Sequence, residues 1–235
     1  FKVKLVMEKN KFPLEVKNLM QKIIDKGGDI FVIGGAVRDI LLKKEVRDWD
    51  FTSNLTPEQI QRIFPKNSFY ENDYGTVSVI GTNEQIFEIT TYRSENGYSD
   101  FRHPQKIVWG KSLEEDVERR DFTINAMAFD IEGNLYDFRG GREDLENKLI
   151  RAVGNADKRF QEDALRMMRA IRIAAQIGFL IEEKTFEAIQ KNAYLIQKVS
   201  GERIRDELFR ILKVKKSGDG IRLLKSSGLL AEIMP

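Results

Sequence analysis

The sequence predicts a mixed α/β part followed by an all-α part, and three observations carry that reading. Short runs rich in Ile, Val, Phe and Thr alternate with helical stretches as far as residue 138. From about Ala156 onward the apolar residues recur at helical spacing alone. The change of pattern falls near residues 147–157, which divides the chain into an α/β part over 1–147, a helical part over 148–210 and a further helical stretch over 211–235.

Taken in order, Pro13 opens an amphipathic helix over residues 13–26, with Leu14, Val16, Leu19, Met20, Ile23 and Ile24 apolar, and Gly27-Gly28 stops it. Residues 30–33 form a short buried strand, Gly34-Gly35 a turn, and residues 36–42 a helical stretch. Residues 49–52 alternate as a strand does. Residues 75–80 and 85–92 pair around the turn Gly81-Thr82-Asn83. Residues 94–111, with Gly97, Pro104, Gly110 and weak periodicity, read as a long loop. Residues 113–118 are an acidic, helix-like run, and residues 126–131 and 134–138 form a hairpin around Glu132-Gly133. A helix over about 159–178 follows, with Ala164, Met167, Met168, Ile171, Ala174 and Ala175 on its packed side. Asp163, Arg166, Arg169 and Arg172 recur every third residue along it. That stripe is either a solvated basic face or a binding surface.

Composition narrows the chemistry. Hydrophobic residues make up 41% of the chain and charged residues 32%, as in a soluble globular protein, and no apolar run is long enough to span a bilayer. The opening Phe1-Lys2-Val3-Lys4-Leu5 does not read as a signal peptide. With no cysteine, disulfides and thiolate metal sites are excluded, and a cytoplasmic location is expected. His103 is the only histidine, so any metal must be held by carboxylates, which selects a hard ion such as Mg2+. Charge is uneven: residues 151–235 hold 17 Lys and Arg against 11 Asp and Glu, and the rest of the chain holds 22 against 26. An acidic part beside a basic one suits an enzyme that holds cations in one place and polyphosphate or RNA in another.

The strand, the Gly34-Gly35 turn, the helix and then Asp48-Trp49-Asp50 make the first chemical constellation. Residues two apart on a strand share a face, so Asp48 and Asp50 project together. Two adjacent carboxylates repel unless a cation lies between them, which makes the pair a Mg2+ site and its residues the catalytic candidates. The glycine turn lets backbone N–H groups of Gly35 approach a phosphate, and Arg38, one helical turn on, reaches a triphosphate. Glu88, between apolar Phe87 and Ile89, is either a third metal ligand or an outward residue of an amphipathic strand.

At this point the sequence resembles a known family. Residues 33–39, Ile-Gly-Gly-Ala-Val-Arg-Asp, followed by Asp48-Trp49-Asp50, resemble the first motif of class II tRNA nucleotidyltransferases, the CCA-adding enzymes and their poly(A) polymerase relatives of the polymerase β superfamily. Four further segments match in order: residues 119–127 (Arg-Arg-Asp-Phe-Thr-Ile-Asn-Ala-Met), Asp137 to Gly141, Glu162-Asp163-Ala164-Leu165-Arg166, and Ser200-Gly201-Glu202-Arg203-Ile204. The match covers about residues 30–210.

The resemblance implies an α/β head with a polymerase β-like mixed sheet, a helical neck and the start of a helical body. It implies attack of a tRNA 3′-hydroxyl on the α-phosphate of CTP or ATP, with release of pyrophosphate. Arg120 would contact the triphosphate and Asn125 the ribose. Asp163 and Arg166 would hydrogen-bond the base edge, accepting from the amino group that C and A share and that U and G lack. Arg169 and Arg172 would serve phosphate or the primer end, and Asp137 to Gly141 a hinge. Residues 95–104 resemble the flexible loop of the CCA-adding and A-adding members. Family members continue into further helical domains, so the chain is expected to be incomplete. A dedicated A-adding enzyme, a poly(A) polymerase and a non-catalytic RNA-binding module on the same scaffold stand as alternatives; the paired carboxylates speak against the last, because clustered negative charge does not help a module that only binds RNA.

Overall fold

The structure is a computed structural model that describes residues 2–6, 12–70, 75–82, 84–98, 104–110 and 112–234. Its contacts divide the chain into two units: Phe1–Ser94, Ile107–Arg120 and Asn125–Gly141, and then Glu95–Lys106, Asp121–Ile124 and Arg142–Pro235. The principal division thus falls at Gly141, and residues 121–124 of the second motif group with the helical unit.

The first unit is built on strands β1 (Lys2–Val6), β2 (Ile30–Ile33), β3 (Trp49–Ser53), β4 (Ser68–Tyr70), β5 (Thr76–Ile80) and β6 (Ile86–Thr91). Strands β7 (Arg93–Tyr98) and β8 (Pro104–Trp109) form a separate two-stranded sheet. Strands β9 (Met127–Phe129) and β10 (Asn134–Asp137) complete the main sheet, whose order is β1-β10-β9-β2-β3-β6-β5-β4. The sheet is mixed, as expected: β3 and β6 run parallel and the other neighbours antiparallel.

Alternation along the central strands separates two faces. Phe51, Val77, Val79, Phe87 and Ile89 are buried on one, where the rings of Phe51 and Phe87 meet edge to face at 6.0 Å. Helix α1 (Leu14–Ile24) buries Val16, Leu19, Met20 and Ile23 of its apolar residues, while Leu14 and Ile24 are exposed. The opposite face carries Asp50, Thr52, Ser78, Glu88 and Thr90, a polar row that needs partners or solvent. Helices α2 (Gly35–Leu41), α3 (Pro57–Ile63) and α4 (Leu113–Glu118) complete the unit. Thr56 caps α3 through a capping box with Gln59, and Ser112 caps α4 by accepting from the Glu115 N–H.

Helix α5 (Gly141–Glu146) is followed by the short parallel pair β11 (Leu149–Ile150) and β12 (Leu180–Ile181). The remaining helices are α6 (Ala156–Glu162), α7 (Leu165–Ile177), α8 (Glu183–Asn192), α9 (Gly201–Lys213), α10 (Ser217–Ser226) and α11 (Leu229–Ile233). Helix α7 buries Met167, Met168, Ala170, Ile171, Ile173 and Ala174. Among the described residues no helix is long and apolar enough to cross a membrane.

Two expectations need correction. Residues 94–111 are not one long loop; they contribute β7 and β8, whose pairing no period-2 hydrophobic pattern announces because Arg93, Ser94, Glu95 and Asn96 are all polar. Residues 99–103, including His103, lie outside the described residues. The helix over 159–178 is two helices, because Asp163 adopts an extended backbone (φ −144°, ψ 104°) and ends α6.

Candidate active site

Strand β2 ends at Ile33, and Gly34 turns the chain into α2 with φ 76° and ψ −138°, a conformation open in practice only to glycine. A Cβ at Gly34 would stand 3.4 Å from Asp50 Oδ2 and 3.6 Å from Arg120 Nη1. One backbone turn therefore has a carboxylate and a guanidinium on its flank. Asp50 lies on β3 opposite Ile33 of β2 and beside Glu88 of β6. Asp48 lies one residue before β3, exposed, with Trp49 buried between the two carboxylates. The pair is thus at a strand entrance rather than within the strand. Register brings Glu88 alongside Asp50, yet among the described residues no three His, Cys, Asp or Glu side chains are grouped to hold a metal ion. Asp48 and Asp50 remain a two-carboxylate oxygen donor set, which fits Mg2+, since this ion takes few protein ligands and completes its shell with water and phosphate oxygens.

Arg38 follows Gly35 by one helical turn and is only 7% exposed. Its Nε donates to Asp39 Oδ1 at 2.9 Å and its Nη1 to Asn125 Oδ1 at 3.0 Å. Two residues that the sequence assigns to triphosphate and ribose are thus hydrogen-bonded to each other. A Cβ at Gly35 would stand in ordinary contact with Arg38 Nη2, at 3.4 Å, so the guanidinium folds back over the start of α2.

Arg120 is held by Asp116 of α4: its Nη2 donates to Asp116 Oδ2 at 3.1 Å. Arg119 donates twice to Asp116 Oδ1, at 2.9 and 2.7 Å, and the Thr52 hydroxyl donates to Oδ2 at 3.2 Å. Asp116 is fully buried. Burial works against its charge, but the guanidinium groups of Arg119 and Arg120 outweigh it and hold its carboxyl below the usual carboxylate range. Arg120 Nε is buried with no hydrogen-bond partner.

In the helical unit Asp163 is not on one helix with Arg166. Its Oδ1 accepts from the Leu165 N–H at the start of α7, and its carboxylate takes both Nη groups of Arg203, at 3.3 and 2.9 Å. A short side chain that accepts from the N–H two residues on competes with helix continuation, which explains the break. Each arginine of the stripe meets a carboxylate: Arg166 donates at 2.9 Å to Glu162, which Arg159 shares, Arg169 donates through two nitrogens to Asp121 at 2.9 and 2.6 Å, and Arg172 pairs with Glu207. The Asp121 carboxylate pushes the Arg169 guanidinium above its ordinary range. Asp137 Oδ1 accepts from the N–H groups of Arg139 and Gly141, so the third motif is a hydrogen-bonded turn with Gly140 at φ 70°.

Sequence reasoning missed Asp116, Thr52, Glu162 and Glu207. A signal for Asp116 existed. Leu113, Asp116 and Val117 stand at i, i+3 and i+4, the spacing of one helix face, and all three are buried.

Comparison with known proteins adds the relationship. The family model for the poly(A) polymerase head domain matches residues 30–151, and that for the probable RNA- and SrmB-binding site of polymerase A matches residues 178–235. The CCA-adding enzyme of Lactobacillus helveticus is 46% identical over 193 residues, which cover 82% of this chain and 48% of that protein. The CCA-adding enzyme of Bacillus velezensis is 40% identical over 215 residues, 92% of this chain and 54% of that one. The Bacillus stearothermophilus CCA-adding enzyme in complex with CTP superimposes with a TM-score of 0.86 at 38% identity, covering 93% of this chain and 53% of that one. The Thermotoga maritima CCA-adding enzyme complexed with tRNA_CCA gives 0.79 at 25% identity, covering 95% and 53%. The chain spans about half the length of the relatives that it matches.

Proposed function

The chain belongs to the poly(A) polymerase head-domain family, and from that premise we propose that it extends the 3′ end of tRNA with C and A, taken from CTP and ATP, without a nucleic-acid template. The observation that carries this is the convergence at Gly34 of the Asp50 carboxylate and the Arg120 guanidinium. Nucleotidyl transfer needs one group to hold a cation and another to hold the leaving phosphates, close together. The relatives named as CCA-adding enzymes supply the choice of C and A.

Asp48 and Asp50 would hold Mg2+. Bound there, Mg2+ would favour the deprotonated primer hydroxyl and offset charge on the leaving pyrophosphate. Arg120, whose Nη1 lies on the flank of Gly34, would donate to a phosphate oxygen there. Arg38, fixed by Asp39 and Asn125, presents its positive charge to the same triphosphate. The bond between the 3′-oxygen and the α-phosphorus forms as the bond from that phosphorus to the bridging oxygen breaks, and pyrophosphate departs. Asp163 and Arg166 would read the base edge. Both are already engaged, so reading a base means exchanging the Arg203 and Glu162 contacts for hydrogen bonds to nucleotide.

The test is incubation with tRNA lacking one, two or all three terminal nucleotides, with CTP, ATP or both, and sequencing of the products. CC addition from CTP followed by a single A is expected. A long A tail would identify a poly(A) polymerase, A addition only to ends in CC an A-adding enzyme, and no extension of any primer would overturn the proposal.

A further inference from the structure

The nucleotide-facing role given to Arg120 leaves Asp116 unexplained. Arg119 alone, donating twice to Oδ1, neutralises this buried carboxylate. A second guanidinium on Oδ2 leaves the trio with a net positive charge, and the hydroxyl of Thr52, itself fully buried, fills the remaining position on that oxygen. Thr52 lies on β3 two residues after Asp50 and on the same face of the sheet. Arg120 turns its Nη2 to Asp116, brings its Nη1 to the flank of Gly34 and leaves its Nε–H without a partner. A guanidinium tied at one nitrogen to a buried carboxylate and set with another at the Gly34 turn is oriented to meet an anion there.

We propose that Asp116 is a positioning residue for nucleotide binding: with Thr52 as a tie to the strand that carries Asp50, it fixes the Arg120 guanidinium in the orientation that receives the triphosphate. This rests on the assignment of Arg120 to the triphosphate. Asp116 touches no substrate. It acts through Arg120, and its own charge weakens the site slightly while its geometry strengthens it. A guanidinium freed from this anchor would be more positive but would sample many rotamers, and the entropy of fixing it would then fall on nucleotide binding. The loss should be the same for CTP and ATP, because their triphosphates are identical.

The experiment is a double-mutant cycle read as CTP and ATP affinity in the presence of magnesium and without RNA. Asp116→Asn keeps the volume and removes the charge; Thr52→Val keeps the shape and removes only the donor. Asp116→Asn should weaken both nucleotides about 10- to 100-fold, and Thr52→Val about 3- to 10-fold, the scale of hydrogen bonds to charged groups. In an Arg120→Met background neither change should weaken binding further. Losses that add fully in that background would overturn the proposal and make Asp116 a purely structural ion-pair partner. Thr52→Val carries the same test if Asp116→Asn does not fold, and unchanged affinity in Thr52→Val would then count against it. The underlying assignment fails separately, by an Arg120→Met protein that binds CTP and ATP as the wild type does.

Discussion

At the residue scale, chemistry was legible where residue types are rare in combination. Gly34-Gly35, Arg38 and the Asp48-x-Asp50 pair stand out because glycines beside paired carboxylates have few ordinary uses, and the structure brings Gly34, Asp50 and Arg120 together. Partner choice was not legible. Nothing in the order of residues says that Asp163 pairs with Arg203, 40 positions away, or that Arg172 takes Glu207. Such pairings depend on which helices pack together, information that spacing along one helix does not hold. Two consequences follow at this scale. Gly34→Ala forces a non-glycine residue into φ 76°, ψ −138° and puts a methyl group in contact with Asp50 and Arg120, where a ligand would have to approach. It should lower stability by about 1–3 kcal/mol and remove detectable incorporation, as read by thermal unfolding and by primer extension. If Asp163 accepts from the amino group of C or A, as proposed, Asp163→Ala should relax selectivity for CTP over UTP and ATP over GTP roughly ten- to a hundred-fold. Because Asp163 also accepts from the Leu165 N–H and binds Arg203, the variant should unfold a few degrees earlier as well. A lowered rate with an unchanged ratio would leave it only the structural part.

At the element scale, local patterns carried furthest where burial follows a period. The α1 stripe, the acidic run that became α4, and the packed side of α7 all followed from spacing. Strand β7 escaped notice because polar residues open it, and β8 because its apolar residues form a short run, Ile107-Val108-Trp109, without alternation. Helix packing adds a constraint of its own. A Cβ at Gly220 of α10 would come within 2.6 Å of Ile211 Cγ2 on α9 and 3.5 Å of Ala175 Cβ on α7. Gly220→Ala should therefore destabilise the helical unit by about 1–3 kcal/mol through overpacking, even though alanine favours helices, and denaturant unfolding will report it. The resemblance of residues 95–104 to the loop of CCA-adding and A-adding members gives this region a test. Replacing residues 95–104 by a short turn should spare CC addition and lose the final A; equal loss of both would make the segment only structural.

At the scale of the whole molecule, the order of α/β and helical parts was legible because hydrophobic period changes from two to 3.6 along the chain. The finer division, with residues 121–124 grouping with the helical unit, was not, since contacts such as Thr123 Oγ1 to Asp144 and the Asp121 carboxylate to Arg169 lie far apart in sequence. Global stability should depend on pH through Asp116, whose carboxyl is held below its ordinary range. A depressed carboxylate contributes stability above its unfolded value, about 3.9, and loses it as pH falls through the folded value. Unfolding temperature should thus drop more steeply below about pH 4 in the wild type than in a folded Asp116→Asn protein. Equal slopes would remove Asp116 from the acid response. The most direct test of nucleotidyl transfer at the paired carboxylates is incorporation of labelled CTP into tRNA lacking its terminal nucleotides, measured with and without magnesium for wild type, Asp48→Ala and Asp50→Ala. Magnesium-dependent incorporation in the wild type, lost in both variants while their unfolding temperatures hold, is the predicted result. Undiminished incorporation by either variant, or by the wild type in a strong chelator, would contradict it.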